Sequence, residues 1–114
     1  MADVLFTDEF ETWWGSLTAE EQESVAHDVN ILRDQGVALR FPRSSGISFS
    51  KHPNMRELRI QHQGRPFRVL YAFDPNRAAV LLIGGDKTGK NRWYETFVPV
   101  ADRLYDEHLA DLEK

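Results

Sequence analysis

Between Met55 and Phe73 the chain alternates in a way that few structures other than a β-hairpin satisfy. Leu58 and Ile60 fall on one face of a first strand, with Glu57, Arg59 and Gln61 on the other. In a second strand Phe67, Val69, Tyr71 and Phe73 share one face, with Arg68, Leu70 and Ala72 on the opposite one. If His62-Gln63-Gly64-Arg65 connects them, Leu58 faces Val69, Ile60 faces Phe67, and Arg59 faces Arg68. A slip of one residue would undo every apolar pair, so the register is well specified. It also sets two guanidiniums against each other, which is unfavourable unless an anion lies between them.

Asp74-Pro75-Asn76-Arg77 has the composition of a turn, and Ala78 to Ile83 is continuously apolar. That run predicts a third strand, central and covered on both faces. It leads into Gly84-Gly85-Asp86-Lys87-Thr88-Gly89-Lys90, expected to be a flexible basic loop of the kind that builds ligand sites.

A chain of 114 residues is long enough for one core, and the reading is of a single domain over residues 1–114. With no cysteine, disulfides, thiolate metal sites and thiol nucleophiles are excluded. No apolar run reaches the ~20 residues of a membrane span, and the first residues, MADVLFTDEF, lack a basic-then-apolar leader pattern. A cytoplasmic location with no membrane partner is therefore the expectation. The formal net charge of -4 hides a segregation. Residues 1–34 hold nine Asp/Glu against one Lys/Arg, residues 35–94 eleven Lys/Arg against three acids, and residues 95–114 six acids against two bases. A basic surface between acidic helices is the local field that a phosphate backbone would meet. The competing reading is that the acidic helices neutralise the basic strands within the molecule.

Val4-Leu5-Phe6 is a candidate edge strand, followed by a helix start at Thr7-Asp8 and an apolar stripe of Phe10, Trp13, Trp14 and Leu17. The tryptophan pair reads as core rather than as a stacking platform. Thr18-Ala19-Glu20-Glu21 is a capping box that opens a second helix with Val25, Ala26, Val29 and Leu32 inward, stopped by Gly36. The short joint predicts an antiparallel helical hairpin. Residues 36–54 have loop composition, with Arg40, Arg43, Lys51 and His52 interspersed. Asn91 is a candidate cap for a last helix, with Trp93, Tyr94 and Phe97 early and Ala101, Leu104, Tyr105, His108 and Leu112 forming its stripe around Pro99. Gly84 to Asn91 mimics a nucleotide-binding P-loop, but Asn91 stands where the Ser/Thr is required and too little chain follows for the acidic partner strand.

The order of these elements, with Glu57-Leu58-Arg59, Phe67 to Pro75, Leu81 to Lys87, Arg92-Trp93-Tyr94 and Ala101 to Tyr105, resembles the RelE/ParE toxin superfamily. The likeness is to its HigB branch and the phage-derived Gp49-like group. It implies an α+β, RelE-like fold: an N-terminal strand and α-helical hairpin packed on a small antiparallel sheet, a three-stranded meander, with a C-terminal helix. It further implies the toxin of a type II toxin-antitoxin pair, a ribosome-dependent, metal-independent messenger RNA endonuclease that inhibits translation and needs no cofactor. Its partners would be mRNA in the ribosomal A site and a small helix-turn-helix antitoxin. By position, the family's strand arginine falls on Arg68, its basic residue after the last strand on Lys87, and its final-helix aromatic on Tyr94, with Arg59 nearby.

Independently of the resemblance, cleavage by a 2′-hydroxyl attacking its own phosphate needs in-line placement and stabilisation of the growing phosphoryl charge. Arg59 and Arg68 would make the fork, and Lys87 would neutralise the leaving oxygen. Tyr94 would stack on a base or move a proton, and Lys51, Arg56, Lys90 and Arg92 would hold flanking phosphates. For the general base, Glu57, His52 and His62 are all open. An Arg68→Ala variant is expected to fold normally. Two other functions share these features: a ParE-like DNA gyrase inhibitor and a non-catalytic module docking an acidic partner.

Overall fold

A computed structural model describes residues 1–114, and its centre is the expected hairpin. β3 (Arg56–His62) and β4 (Arg65–Phe73) pair antiparallel with Leu58 opposite Val69, Ile60 opposite Phe67 and Arg59 opposite Arg68. The turn is tighter than the tetrapeptide suggested. Gln63 and Gly64 alone make it, at φ +49° and +80°, the backbone hand that matches strand twist.

β5 (Ala79–Asp86) adds antiparallel to β4, and β1 (Val4–Phe6) joins parallel to β5. β2 (Ser44–Gly46), inside the segment read as loop, pairs with β3. The sheet is therefore five-stranded and mixed, in the order β1-β5-β4-β3-β2, rather than a three-stranded meander alone. Ser-Ser-Gly carries no strand propensity, so only the partner reveals β2.

The turn before β5 is organised by Asp74. Its Oδ1 accepts the amides of Asn76 and Ala78 at 2.9 and 3.0 Å, and Nε2 of His108 lies 2.8 Å from its Oδ2. β5 continues three residues beyond the apolar run, so Gly84 to Asp86 belong to the sheet and not to a flexible loop. A Cβ on Gly84 would stand 2.3 Å from the Trp13 ring, and one on Gly85 would stand 2.7 Å from Trp93 Nε1. The glycines are there because two indoles lie on the strand, which disposes of the P-loop likeness.

α1 (Asp8–Gly15), capped by Thr7, lies over β5, while α2 (Ala19–Gln35), with the complete Thr18/Glu21 capping box, lies over β3. The two helices each lean mainly on the sheet. Together they cover the face carrying Leu58, Ile60, Phe67, Val69, Tyr71 and Leu81. α3 (Trp93–Leu112) covers the other face, Leu70, Ala72, Val80 and Leu82, with Pro99 inside it. Its N-cap is Arg92, without a side-chain bond, rather than Asn91. The sheet is thus buried on both sides, and no helix is long and apolar enough to cross a membrane.

Two predictions follow from this packing. Gly84→Ala should lose about 1–3 kcal/mol of unfolding free energy in urea through overpacking, whereas Gly15→Ala, with open space around it, should be neutral or gain up to about 1 kcal/mol. Burial alone would raise the Asp74 pKa, but the bonds from His108, Ala78 and Asn76 outweigh it and hold the carboxyl below its usual range. A depressed folded pKa contributes stability above the unfolded value that is lost as pH falls through the folded one. Stability should therefore drop below about pH 4, and Asp74→Asn should flatten that part of the curve in pH-resolved denaturation.

Candidate functional site

Period-two alternation sends Glu57, Arg59 and Arg68 to the α3 side of the sheet. Arg68 is only 5% exposed, so its charge needs a partner, and Glu57 at 4% supplies it. Arg68 Nε lies 3.3 Å from Glu57 Oε1, though that N–H makes no hydrogen bond of good geometry, and Nη1 donates to the Phe67 carbonyl at 2.9 Å. Arg59 Nη1 donates to Glu57 Oε2 at 3.3 Å with its own side chain one-third exposed. The expected guanidinium pair thus exists, and the anion beneath it is Glu57.

From α3, Tyr94 donates its hydroxyl to Glu57 Oε1 at 2.5 Å. Burial, then the hydrogen bond to Glu57, push its phenol above the usual range, so Tyr94 is a proton donor at neutral pH and not a phenolate base. Lys87 stands over the Tyr94 ring, 5.2 Å from its centre. It is placed there by the edge of the sheet, where its amide donates to the Pro66 carbonyl at 3.0 Å.

These groups border an open cleft of about 400 Å3 lined by Pro42, Arg43, Arg59, Gln61, Pro66, Arg68 and Lys87. Four cations and no carboxylate make its wall, with Glu57 beneath. Arg43 had no local signal beyond its charge. It comes into the wall because the segment before β2 runs beside β3, where the Arg59 amide donates to the Arg43 carbonyl at 2.7 Å, and its guanidinium is steadied by Asp28 at 2.5 Å.

The four residues assigned to flanking phosphates are not gathered here. Arg56 has the opposite strand parity to Arg59 and points to the α1/α2 face, donating to Ser44 Oγ at 2.8 Å. Lys51 is tied to Asp106 of α3. Lys90 borders a separate groove beside Trp13 and Trp93, and Arg92 is exposed and pairs with Glu95 at 3.7 Å. Among the candidate bases, His52 is 2.8 Å from Asp106 of α3, and His62, 2.7 Å from Ser24 Oγ, lines the neighbouring groove that shares Arg43, Arg59 and Gln61 with the cleft. Of the three, Glu57 contacts Arg59 and Arg68 directly. Neutralisation by the acidic helices is real but local: Arg65 pairs with Glu21, Arg43 with Asp28 and Lys51 with Asp106, while Lys87 carries no ion pair.

The burial of the Arg68–Glu57 pair bears on the expectation that Arg68→Ala folds normally. It should cost about 1–3 kcal/mol in denaturant unfolding, because the buried Glu57 carboxylate loses one charged partner and keeps Arg59 and Tyr94, whereas Arg59→Ala, partly solvated, should cost under about 1 kcal/mol.

Residues 12–106 match the family model described as "Phage derived protein Gp49-like (DUF891)". Two relatives from Mycobacterium tuberculosis are similar along the chain. The protein named "Putative toxin HigB2" is 40% identical over 103 residues, 89% of this chain and 51% of its own length. The one named "Putative toxin HigB3" is 37% identical over 108 residues, 94% of this chain and 93% of its own. The chain therefore spans about half the length of the first relative and nearly all of the second. Among solved structures, a chain of the intact E. coli RelBE toxin-antitoxin complex superposes with a TM-score of 0.55 at 10% identity, covering 75% of this chain and 95% of that one, which is a likeness of fold. With most of its length matched by one family model and by two HigB-named relatives, the chain belongs to the phage-derived Gp49-like, HigB-like family and carries a RelE-like fold.

Proposed function

We propose that this protein is the toxin of a type II toxin-antitoxin pair and acts as a ribosome-dependent messenger RNA endonuclease. The observation that carries the reading is the four-cation cleft whose Arg59 and Arg68 contact Glu57, itself bonded by Tyr94. The membership of the family and the toxin names of its relatives support the coarser part, and the cleft chemistry supports the finer one.

In this reading Arg59 and Arg68 hold the non-bridging oxygens of the scissile phosphate, and Lys87 approaches the leaving oxygen. Attack by the adjacent 2′-hydroxyl forms a bond from that oxygen to phosphorus and breaks the bond to the 5′-oxygen, leaving a cyclic phosphate. Glu57 is the carboxylate within the cationic set that can take the 2′-hydroxyl proton. Tyr94 orients it by its short hydrogen bond, and the protonated Lys87 or Tyr94 group supplies a proton to the leaving oxygen. Positioning of the RNA falls to the ribosome, which accords with an open, shallow cleft. A small helix-turn-helix antitoxin is the expected neutralising partner.

The test is primer extension on a reporter messenger RNA after brief induction, using Arg59→Ala and Lys87→Ala because both side chains are solvated enough to spare the fold. Cuts confined to translated codons, reduced about a hundredfold in each variant, are expected. Intact RNA during growth arrest would replace this reading with gyrase inhibition, and intact RNA with normal growth would leave a binding module.

A further inference from the structure

The cleft holds phosphate-binding groups, yet its lining offers no aromatic face on which a base could stack. Tyr94 is committed elsewhere: its hydroxyl is bound to Glu57 and Trp93 packs edge-on at 5.3 Å. Phe41 is different. It is 72% exposed and sits immediately before Pro42 and Arg43, both in the cleft wall. The Arg59 guanidinium lies 5.5 Å from its ring centre.

The ring is held on a built frame. Leu39 and Ser44, at either end of the turn, are buried, and the turn closes through Ser44 N–H to the Arg40 carbonyl at 3.2 Å. Arg40 Nη1 donates back to the Val37 carbonyl at 2.5 Å. At 72% exposure the ring buries little apolar area, and its one charged neighbour in contact is Arg59, in a cation–π arrangement. Phe49, equally open at 79%, has no cation over its ring, and the residue after it, Ser50, is bonded to Asp102 of α3.

We infer that Phe41 is a nucleobase-stacking platform: one base of a single-stranded RNA lies on its ring while Arg59 and Arg43 hold the adjoining phosphates. This rests on the RNA reading of the same cleft. A stacked ring recognises the π-face common to all bases, so it sets the register of the strand against Arg59, Arg68 and Lys87 with little choice of base. Phe41 is a positioning residue and moves no proton.

The experiment is equilibrium binding, by fluorescence anisotropy at fixed low salt, of a labelled oligouridylate and of an abasic ribose-phosphate oligomer of equal length. Phe41→Ala should weaken oligouridylate binding about tenfold and leave the abasic oligomer unchanged. Phe41→Trp should restore binding, and Phe49→Ala should behave as the parent. An equal loss for both oligomers, or no loss in Phe41→Ala while the parent binds, overturns the stacking role and leaves the RNA reading standing. A parent that binds neither oligomer overturns the stacking role on free RNA, and the primer-extension result then decides the RNA reading separately. An unaffected affinity for RNA together with lost affinity for a protein partner would reassign Phe41 to a protein interface.

Discussion

Everything at the site depends on one cross-strand pair. Arg59 and Arg68 are set opposite each other by the hairpin register, and neither could be held there without the buried carboxylate of Glu57 beneath them. Like charges directly opposed on a sheet are unfavourable. Here the cost is offset by an anion that is itself almost fully buried and hydrogen-bonded by Tyr94. The arrangement keeps one buried and one partly exposed guanidinium together at the floor of the cleft with no phosphate present, which is the preorganisation a phosphate-binding cleft requires.

The rest of the molecule serves that pair by burying the sheet on both faces. α1 and α2 cover one side, which forces the large apolar side chains of β3 and β4 inward and so sends the arginines to the other. α3 covers most of that second side but begins at Trp93, over Gly85, leaving Arg59 partly exposed above the buried Arg68 and delivering Tyr94 to Glu57. The register shift in β4–β5 beside Leu70 and Tyr71 lets Leu82 and Ile83 both meet the α3-side core. Downstream of it the strand ends at Asp86, and Lys87 follows at the cleft wall. The acidic helices matter mainly as local partners, through Glu21, Asp28 and Asp106, so the molecule keeps its cationic cleft despite its negative total charge.

The hairpin, its register, the capping box at Thr18, the buried stripes of the helices and the Arg59–Arg68 clash could all be read from the sequence, because each follows from spacing within a few residues. The same spacing held information that charge counting overlooked: Arg56 is one step out of phase with Glu57 and Arg59, and parity alone places it across the sheet. Lys51, Lys90 and Arg92 were grouped with the site by their charge. Their actual surroundings, Asp106, the groove beside Trp13, and solvent, are set by which helix packs where.

What the sequence by itself determined is local: strand and helix periodicity, a hairpin connection within His62–Arg65, and the need for an anion between two arginines. What only the tertiary structure decided is nonlocal. It pairs Ser44–Gly46 with β3, extends β5 through two glycines under indoles, and carries Arg43 and Phe41 to the rim of a cleft whose other walls come from Gln61, Arg68 and Lys87. The physical reason is that periodicity reports which way a side chain faces along its own element. Which distant element meets it is decided by the packing of both sheet faces at once, and that leaves no mark on either segment alone.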